Sequence, residues 1–266
     1  MRRKRSVSTR SPKRKISRPE SFHFRHLQQT TSLRASVAVA KGRFFGRAAK
    51  IPAMPKRLSA KLRAKKIKLL LFDVDGVLTD GKLYIFPAPA GIRQTTQDHA
   101  ARRQEDGGFG LVSQSLIEAK GFHAHDGAAI SLARLGGIKT GLITKRISET
   151  VAIRARDLKL EYVYQGIQDK LTVFEEIIRQ EGLNSNQAAY VGDDVIDLPV
   201  MRNCGLAVAV ANARAEVKAE AHFVTPHAGG DDALRDATEY ILKSQGKWKQ
   251  VMSEYIRERS PKKARA

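Results

Sequence analysis

From Ile67 onward, short apolar runs that end in polar or acidic residues alternate with amphipathic stretches, and this rhythm limits the fold more than any other feature of the chain. The runs are Lys66–Phe72, Gly137–Thr144, Glu161–Tyr164, Ala188–Val191, Leu206–Val210 and Ala221–Thr225. Helical spacing occupies Ala128–Leu135, Ser148–Leu158, Lys170–Gln180, Leu198–Met201, Ala213–Ala219 and Asp232–Ser244. An apolar run with no polar alternation has to be covered on both faces. Repeated strand–helix units therefore predict an α/β fold, a parallel sheet with helices on both sides. In such sheets ligands bind beyond the carboxyl ends of the strands. The chemically loaded residues sit at those ends. Asp73 and Asp75 follow the first run, Thr144 closes the second, Lys170 follows the third, and Asp193 and Asp194 follow the fourth.

The 266 residues carry a formal charge of +21, but residues 1–68 hold 22 Lys and Arg against one acid, Glu20, so the rest of the chain is neutral. That excludes a uniformly basic fold. Residues 1–65 read as a basic tail too poor in apolar residues to offset the entropy of ordering. A solvated tail, a native start at Met54, an Arg- and Ser-rich transit peptide and a nucleic-acid-binding arm all suit that composition. The aromatics Phe22, Phe24, Phe44 and Phe45 are not interleaved as a stacking platform, so nucleic acid is not the expected partner. No apolar run approaches the ~20 residues of a membrane span. No secretory signal follows MRRKRSVSTR, so the expected location is cytoplasmic. One cysteine, Cys204, excludes an internal disulfide and reads as a small buried hydrophobe.

Two aspartates two apart in an extended segment face the same way, so Asp73 and Asp75 address one pocket. Neighbouring carboxylates repel unless a cation lies between them, and Mg²⁺ is the hard, oxygen-seeking ion that suits such a pair together with a phosphate. The same pair suits covalent phosphoryl transfer, one carboxylate attacking phosphorus and the other moving protons. A turn capped by Asx side chains is the alternative reading of DVDG. In Gly192-Asp193-Asp194-Val195-Ile196-Asp197, the first acid offers a further ligand and Asp197 a supporting carboxylate. Asp194 as a helix cap ahead of Pro199 is the plainer reading. Thr144 and Lys170 supply a hydroxyl donor and an ammonium for phosphate oxygens, although each taken alone reads as a capping or surface residue.

The series Asp73-Val74-Asp75-Gly76-Val77-Leu78-Thr79-Asp80, Thr144, Lys170 and Gly192-Asp193-Asp194 with Asp197 resembles, in order, the four motifs of the haloacid dehalogenase-like hydrolases. With HDGAAI, YVYQGIQDK, YVGDDVIDLPVM, GLAVAVANA and GGDDALRDATEYILKSQGKW, it is similar to the capless subclass typified by the 3-deoxy-D-manno-octulosonate 8-phosphate phosphatases. The resemblance covers about residues 66–248, with an insertion at about 87–115 and a C-terminal tail over 249–266. It implies a Rossmannoid domain, Mg²⁺ dependence and a homotetramer in which protruding β-hairpins meet. The hairpin arms are expected at Lys82–Phe86 and Ser115–Ala124. Asp73 is then the nucleophile and Asp75 the general acid/base. Asp73 and Asp193 bind metal by side chains, and Asp75 binds it by its main-chain carbonyl. Thr144 and Lys170 hold the phosphoryl group, with Asp194 and Asp197 in support. The resemblance also places His125, Asp126, Gly127, Arg146 and Arg154 at the substrate, together with Asp75 and Lys170.

The departures bear on the substrate. Lys145 stands where the family has a glycine, which strains the backbone if that position needs a glycine conformation. His125 and Ser131 stand at arginine positions, and Asp231-Asp232 interrupts a glycine-rich turn, although Arg235 is kept. His123 and His125 with Asp126 offer the donors of a second metal site. A strand position for His123 and a pocket-wall position for His125 account for them more simply. Expected functions are thus a Mg²⁺-dependent sugar-acid phosphatase, a phosphatase for a nonulosonate 9-phosphate, or a weak homologue serving as an assembly module.

Overall fold

The structure is a computed structural model that describes residues 58–89, 109–110 and 116–260. The readings of the basic tail, and of most of the insertion, fall outside these residues.

The fold is the expected α/β one. Strand β1 (Leu69–Phe72) is buried along its whole length, as a strand without polar alternation must be. It pairs in parallel with β5 (Lys139–Ile143) on one side and β8 (Ala188–Gly192) on the other. With β7 (Tyr162–Tyr164), β9 (Leu206–Ala209) and β10 (Phe223–Val224) they form a six-stranded sheet ordered β10-β9-β8-β1-β5-β7. The chain builds outward from β1 through β5 to β7, then returns to β8 and builds the other way. The order therefore reverses beside β1, where the carboxyl ends of such a sheet open a crevice. Phe72 pairs with both Leu142 and Val191, so the chain leaves all three strands at one level.

Helices α2 (Ala124–Leu135), α3 (Glu149–Leu158), α4 (Lys170–Gln180), α5 (Leu198–Asn203), α6 (Ala215–Glu220) and α7 (Ala233–Ser244) cover the sheet. Helix α4 starts where Asp169 accepts the amides of Leu171 and Thr172 at 3.1 Å, and it buries Phe174 and Ile177. Helix α2 begins at Ala124, earlier than the apolar spacing predicts. Its first turn is polar, yet Asp126 is fully buried there and accepts the Arg235 amide at 3.0 Å.

Strands β2 (Tyr84–Pro87) and β4 (Leu116–Ala119) form the expected antiparallel hairpin, Tyr84 opposite Ala119. Tyr84, Ile85, Phe86 and Leu116 are exposed on it. Within the inserted segment, β3 (Phe109–Gly110) pairs in parallel with β6 (Arg146–Ile147).

The folded part is longer at both ends than the sequence reading. Helix α1 (Ala60–Ala64), capped by Ser59, buries Ala64 within residues assigned to the tail. Helix α8 (Trp248–Arg259) occupies most of the expected C-terminal tail. Its Val251 is buried, and Trp248, Met252 and Tyr255 pack on the core at i, i+3, i+4 and i+7 spacing. Among the described residues no helix is long and apolar enough to cross a membrane.

Candidate active site

The first acidic segment leaves β1 in a tight turn. The Asp73 carboxylate accepts the Val74 amide at 2.7 Å, and the Thr79 amide returns to the Val74 carbonyl at 3.0 Å. Gly76 makes the turn at φ 91°, and a Cβ there would lie 2.2 Å from Asp193 Oδ2. Glycine is thus required twice, for its left-handed backbone and for the close approach of the second acidic segment. Gly229 is equally constrained, since its Cβ would lie 1.6 Å from the Gly76 carbonyl oxygen.

Asp73, Asp193 and Asp197 each bring a carboxylate oxygen within 4.8 Å of the others. Lys170, at the start of α4, enters this group. Its Nζ is 2.8 Å from both Asp73 Oδ2 and Asp197 Oδ1. Asp197 also accepts the Tyr190 hydroxyl at 2.8 Å and the Asp193 amide at 3.1 Å. Asp197 is therefore anchored by strand β8 and by its own turn. Asp193 is less satisfied, because its buried Oδ1 has no hydrogen-bond partner among the described residues.

The electrostatics follow from two buried acids, Asp73 and Asp197, and the half-buried Asp193 meeting one ammonium. Burial pushes Asp73 up to about 6, against the pull of Lys170. Burial, with Asp197 and Asp73 nearby, pushes Asp193 up to about 7. Burial alone would lower Lys170, but the Asp73 and Asp197 carboxylates outweigh it and hold its pKa above the ordinary value. A pocket with excess negative charge, only oxygen donors and an orphaned carboxylate oxygen fits a hard divalent cation.

The remaining expected residues separate into two groups. Thr144 is buried directly after β5, beside the level at which Asp73 leaves β1. Asp75 projects away from the acid cluster. It forms an ion pair with Lys120 and lies 3.4 Å from Arg146 Nε, with Glu118 Oε2 3.9 Å from the same guanidinium. The third side chain of the acid cluster is accordingly Asp197, and Asp75 reaches outward to the hairpin. Asp194 is exposed and caps its own turn, accepting the Val195 amide at 2.7 Å; this is the capping reading. Lys145 has no left-handed backbone, so the charge replacing glycine introduces no strain of that kind. Sequence reasoning missed Lys120, Glu118 and Tyr190. The two hairpin residues offer no local motif, and Tyr190 reads as strand core.

A family model for haloacid dehalogenase-like hydrolases matches residues 138–237. The 3-deoxy-D-manno-octulosonate 8-phosphate phosphatase KdsC of Escherichia coli is 34% identical over 194 residues, 73% of this chain and 89% of that protein. The chain belongs to the haloacid dehalogenase-like hydrolases. Two solved structures extend the likeness to the backbone. The 3-deoxy-D-manno-octulosonate 8-phosphate phosphatase of Yersinia pestis is 34% identical, with a TM-score of 0.60 over 71% of this chain and 88% of that one. The enzyme of the same name from Moraxella catarrhalis, in complex with magnesium, phosphate and KDO, is 29% identical, with a TM-score of 0.60 over 74% of this chain and 97% of that one.

Several of the residues expected at the substrate lie around the start of α2. Gly127 lets Arg154 approach, since a Cβ there would be 2.5 Å from the guanidinium. Arg154 also lies over the Phe122 ring at 5.6 Å, and its buried Nε has no hydrogen-bond partner among the described residues. Asp126 is buried and pushed up to about 6 by desolvation. His125 is largely exposed, with its ring nitrogen 2.9 Å from Asp232.

Proposed function

We propose that this chain is a Mg²⁺-dependent phosphomonoesterase acting on a small sugar-acid phosphate, with 3-deoxy-D-manno-octulosonate 8-phosphate as the leading substrate. The observation that carries the reading is the meeting of Asp73, Asp193, Asp197 and Lys170 at the carboxyl ends of the central strands. The similarity to phosphatases of that name over most of the folded part supports the substrate class.

Asp73 attacks phosphorus, and the bond from phosphorus to the sugar oxygen breaks, leaving an aspartyl phosphate. Asp75 gives a proton to the departing oxygen, then takes one from the water that attacks the acyl phosphate. Lys120 and Arg146 fix where the Asp75 carboxyl sits. Lys170 and Thr144 bind the phosphoryl oxygens and stabilise charge in a loose transition state. Asp73 and Asp193, with the Asp75 main-chain carbonyl, would hold Mg²⁺, which would supply charge neutralisation for the phosphate. Asp197 holds the Lys170 ammonium and the Asp193 backbone in place. The guanidinium of Arg154 suits the carboxylate of a sugar acid. A homotetramer formed through the hairpins would cover the exposed Tyr84, Ile85, Phe86 and Leu116.

The test is phosphate release from a panel of sugar-acid phosphates, with Mg²⁺ and with a chelator. Turnover should be highest for the octulosonate 8-phosphate and should vanish on chelation. Preference for a nonulosonate 9-phosphate would move the substrate assignment. No release from any substrate by the folded protein would reject the enzyme reading in favour of an assembly module.

A further inference from the structure

A second cluster of metal-ligating atoms lies outside the acidic pocket. His123 precedes α2, His125 is in its first turn, and Asp232 immediately precedes α7, making no side-chain cap to it. The Nδ1 atoms of His123 and His125 lie 3.1 and 2.9 Å from a single oxygen, Asp232 Oδ1. The two rings meet edge to face, with centroids 4.9 Å apart. All three donors fall within 4.8 Å of one another. Asp126, which follows His125 in sequence, is not among them; its Oδ1 accepts the Arg235 amide, and its buried Oδ2 has no hydrogen-bond partner among the described residues.

Two further observations point to a ligand there. The His123 Nδ1 atom is buried and has no hydrogen-bond partner among the described residues, although Asp232 Oδ1 lies 3.1 Å away. A buried ring nitrogen left unsatisfied this close to a carboxylate is one that a shared cation would satisfy. Asp232 itself adopts φ 75°, in a glycine-rich turn. Among the described residues only Lys159 and Asp232 are non-glycines with positive φ, and Lys159 is an ordinary helix C-cap. A carboxylate held in a conformation that favours glycine is placed by the turn rather than free to move away.

We infer that His123, His125 and Asp232 form a binding site for a borderline divalent transition-metal ion of the Zn²⁺ type. Two imidazoles and one carboxylate are the donor set such ions prefer, whereas Mg²⁺ takes oxygen. Metal–ligand bonds of about 2.0–2.1 Å in a tetrahedron set donors about 3.3–3.4 Å apart. The two nitrogen–oxygen separations therefore need to open by only a few tenths of an ångström. The fourth position is left to water or another ligand. The bound ion would tie the start of α2 to the start of α7, segments 107 residues apart in sequence.

The experiment is calorimetric titration of the metal-stripped full chain with Zn²⁺ in millimolar Mg²⁺, added to compete for the oxygen-only acidic pocket. Wild type should take up one equivalent of Zn²⁺ that Mg²⁺ does not displace. His123→Ala/His125→Ala should lose it, and Asp232→Gly, whose glycine suits φ 75°, should weaken it about tenfold or more. Co²⁺ in place of Zn²⁺ should give the strong visible bands of a nitrogen-ligated tetrahedral ion, absent from both variants. Wild type that takes up no Mg²⁺-resistant Zn²⁺ would overturn the inference, as would variants that retain the uptake and the Co²⁺ spectrum.

Discussion

Tyr190→Phe isolates the support of the acidic pocket with the least collateral change. The ring is fully buried in β8, so phenylalanine fills the same space and leaves no cavity. What is lost is the hydroxyl that donates to Asp197 Oδ1 at 2.8 Å. A hydrogen bond to a charged group contributes about 1.5–3 kcal/mol, more than a neutral one. For a domain of this size each kcal/mol moves the thermal midpoint by about 2–4 °C, so the variant should melt about 3–12 °C lower. A urea titration gives the free energy directly. The control is the same change in an Asp197→Asn background, where the acceptor is neutral and the cost should fall below about 1 kcal/mol. If Tyr190→Phe costs less than about 0.5 kcal/mol, or costs the same in both backgrounds, the hydroxyl does not support Asp197 as argued.

Gly76→Ala should cut phosphate release by about a hundredfold or more, since its Cβ would meet Asp193 Oδ2 at 2.2 Å and its φ is 91°; wild-type turnover would show that the turn tolerates a side chain. Asp126 has a folded pKa raised from 3.8 to about 6, so the native state holds its proton to higher pH than the unfolded chain. The associated stability is present below about pH 4 and lost by pH 6 and above, with a ceiling of about 3 kcal/mol. Asp126→Asn should flatten that fall, read as the difference in urea midpoint between about pH 4.5 and about pH 7. Cys204 is buried and its thiol is pushed up to about 12, so it stays protonated. Iodoacetamide should leave it unmodified in the native protein and label it once denaturant is added.

The sheet was legible because its strands are buried on both faces. Leu69–Phe72 reads as an uninterrupted apolar run for the same reason that it is the central strand. Asp73, Thr144, Lys170 and Asp193 were legible because each follows such a run. The partners of Asp75 were not, because Lys120 is 45 residues away and meets it only once the hairpin has folded. Tyr190 was hidden by its own burial; nothing local separates a strand tyrosine that packs from one that also donates. Helix α8 was written in the spacing of Trp248, Val251, Met252 and Tyr255, but the charges between them masked it. The start of α2 was obscured for the opposite reason, since its buried residues there are Asp126 and Gly127 rather than apolar ones.

The central claim is that Asp73 carries the phosphoryl group during turnover. Acid-quenching the protein during turnover of the octulosonate 8-phosphate with Mg²⁺, followed by peptide mass analysis, tests it directly. A phosphorylated carboxyl on Asp73, absent from Asp73→Asn together with phosphate release, is the predicted result. Undiminished release by Asp73→Asn, or a phosphoryl group found on another residue, would contradict it.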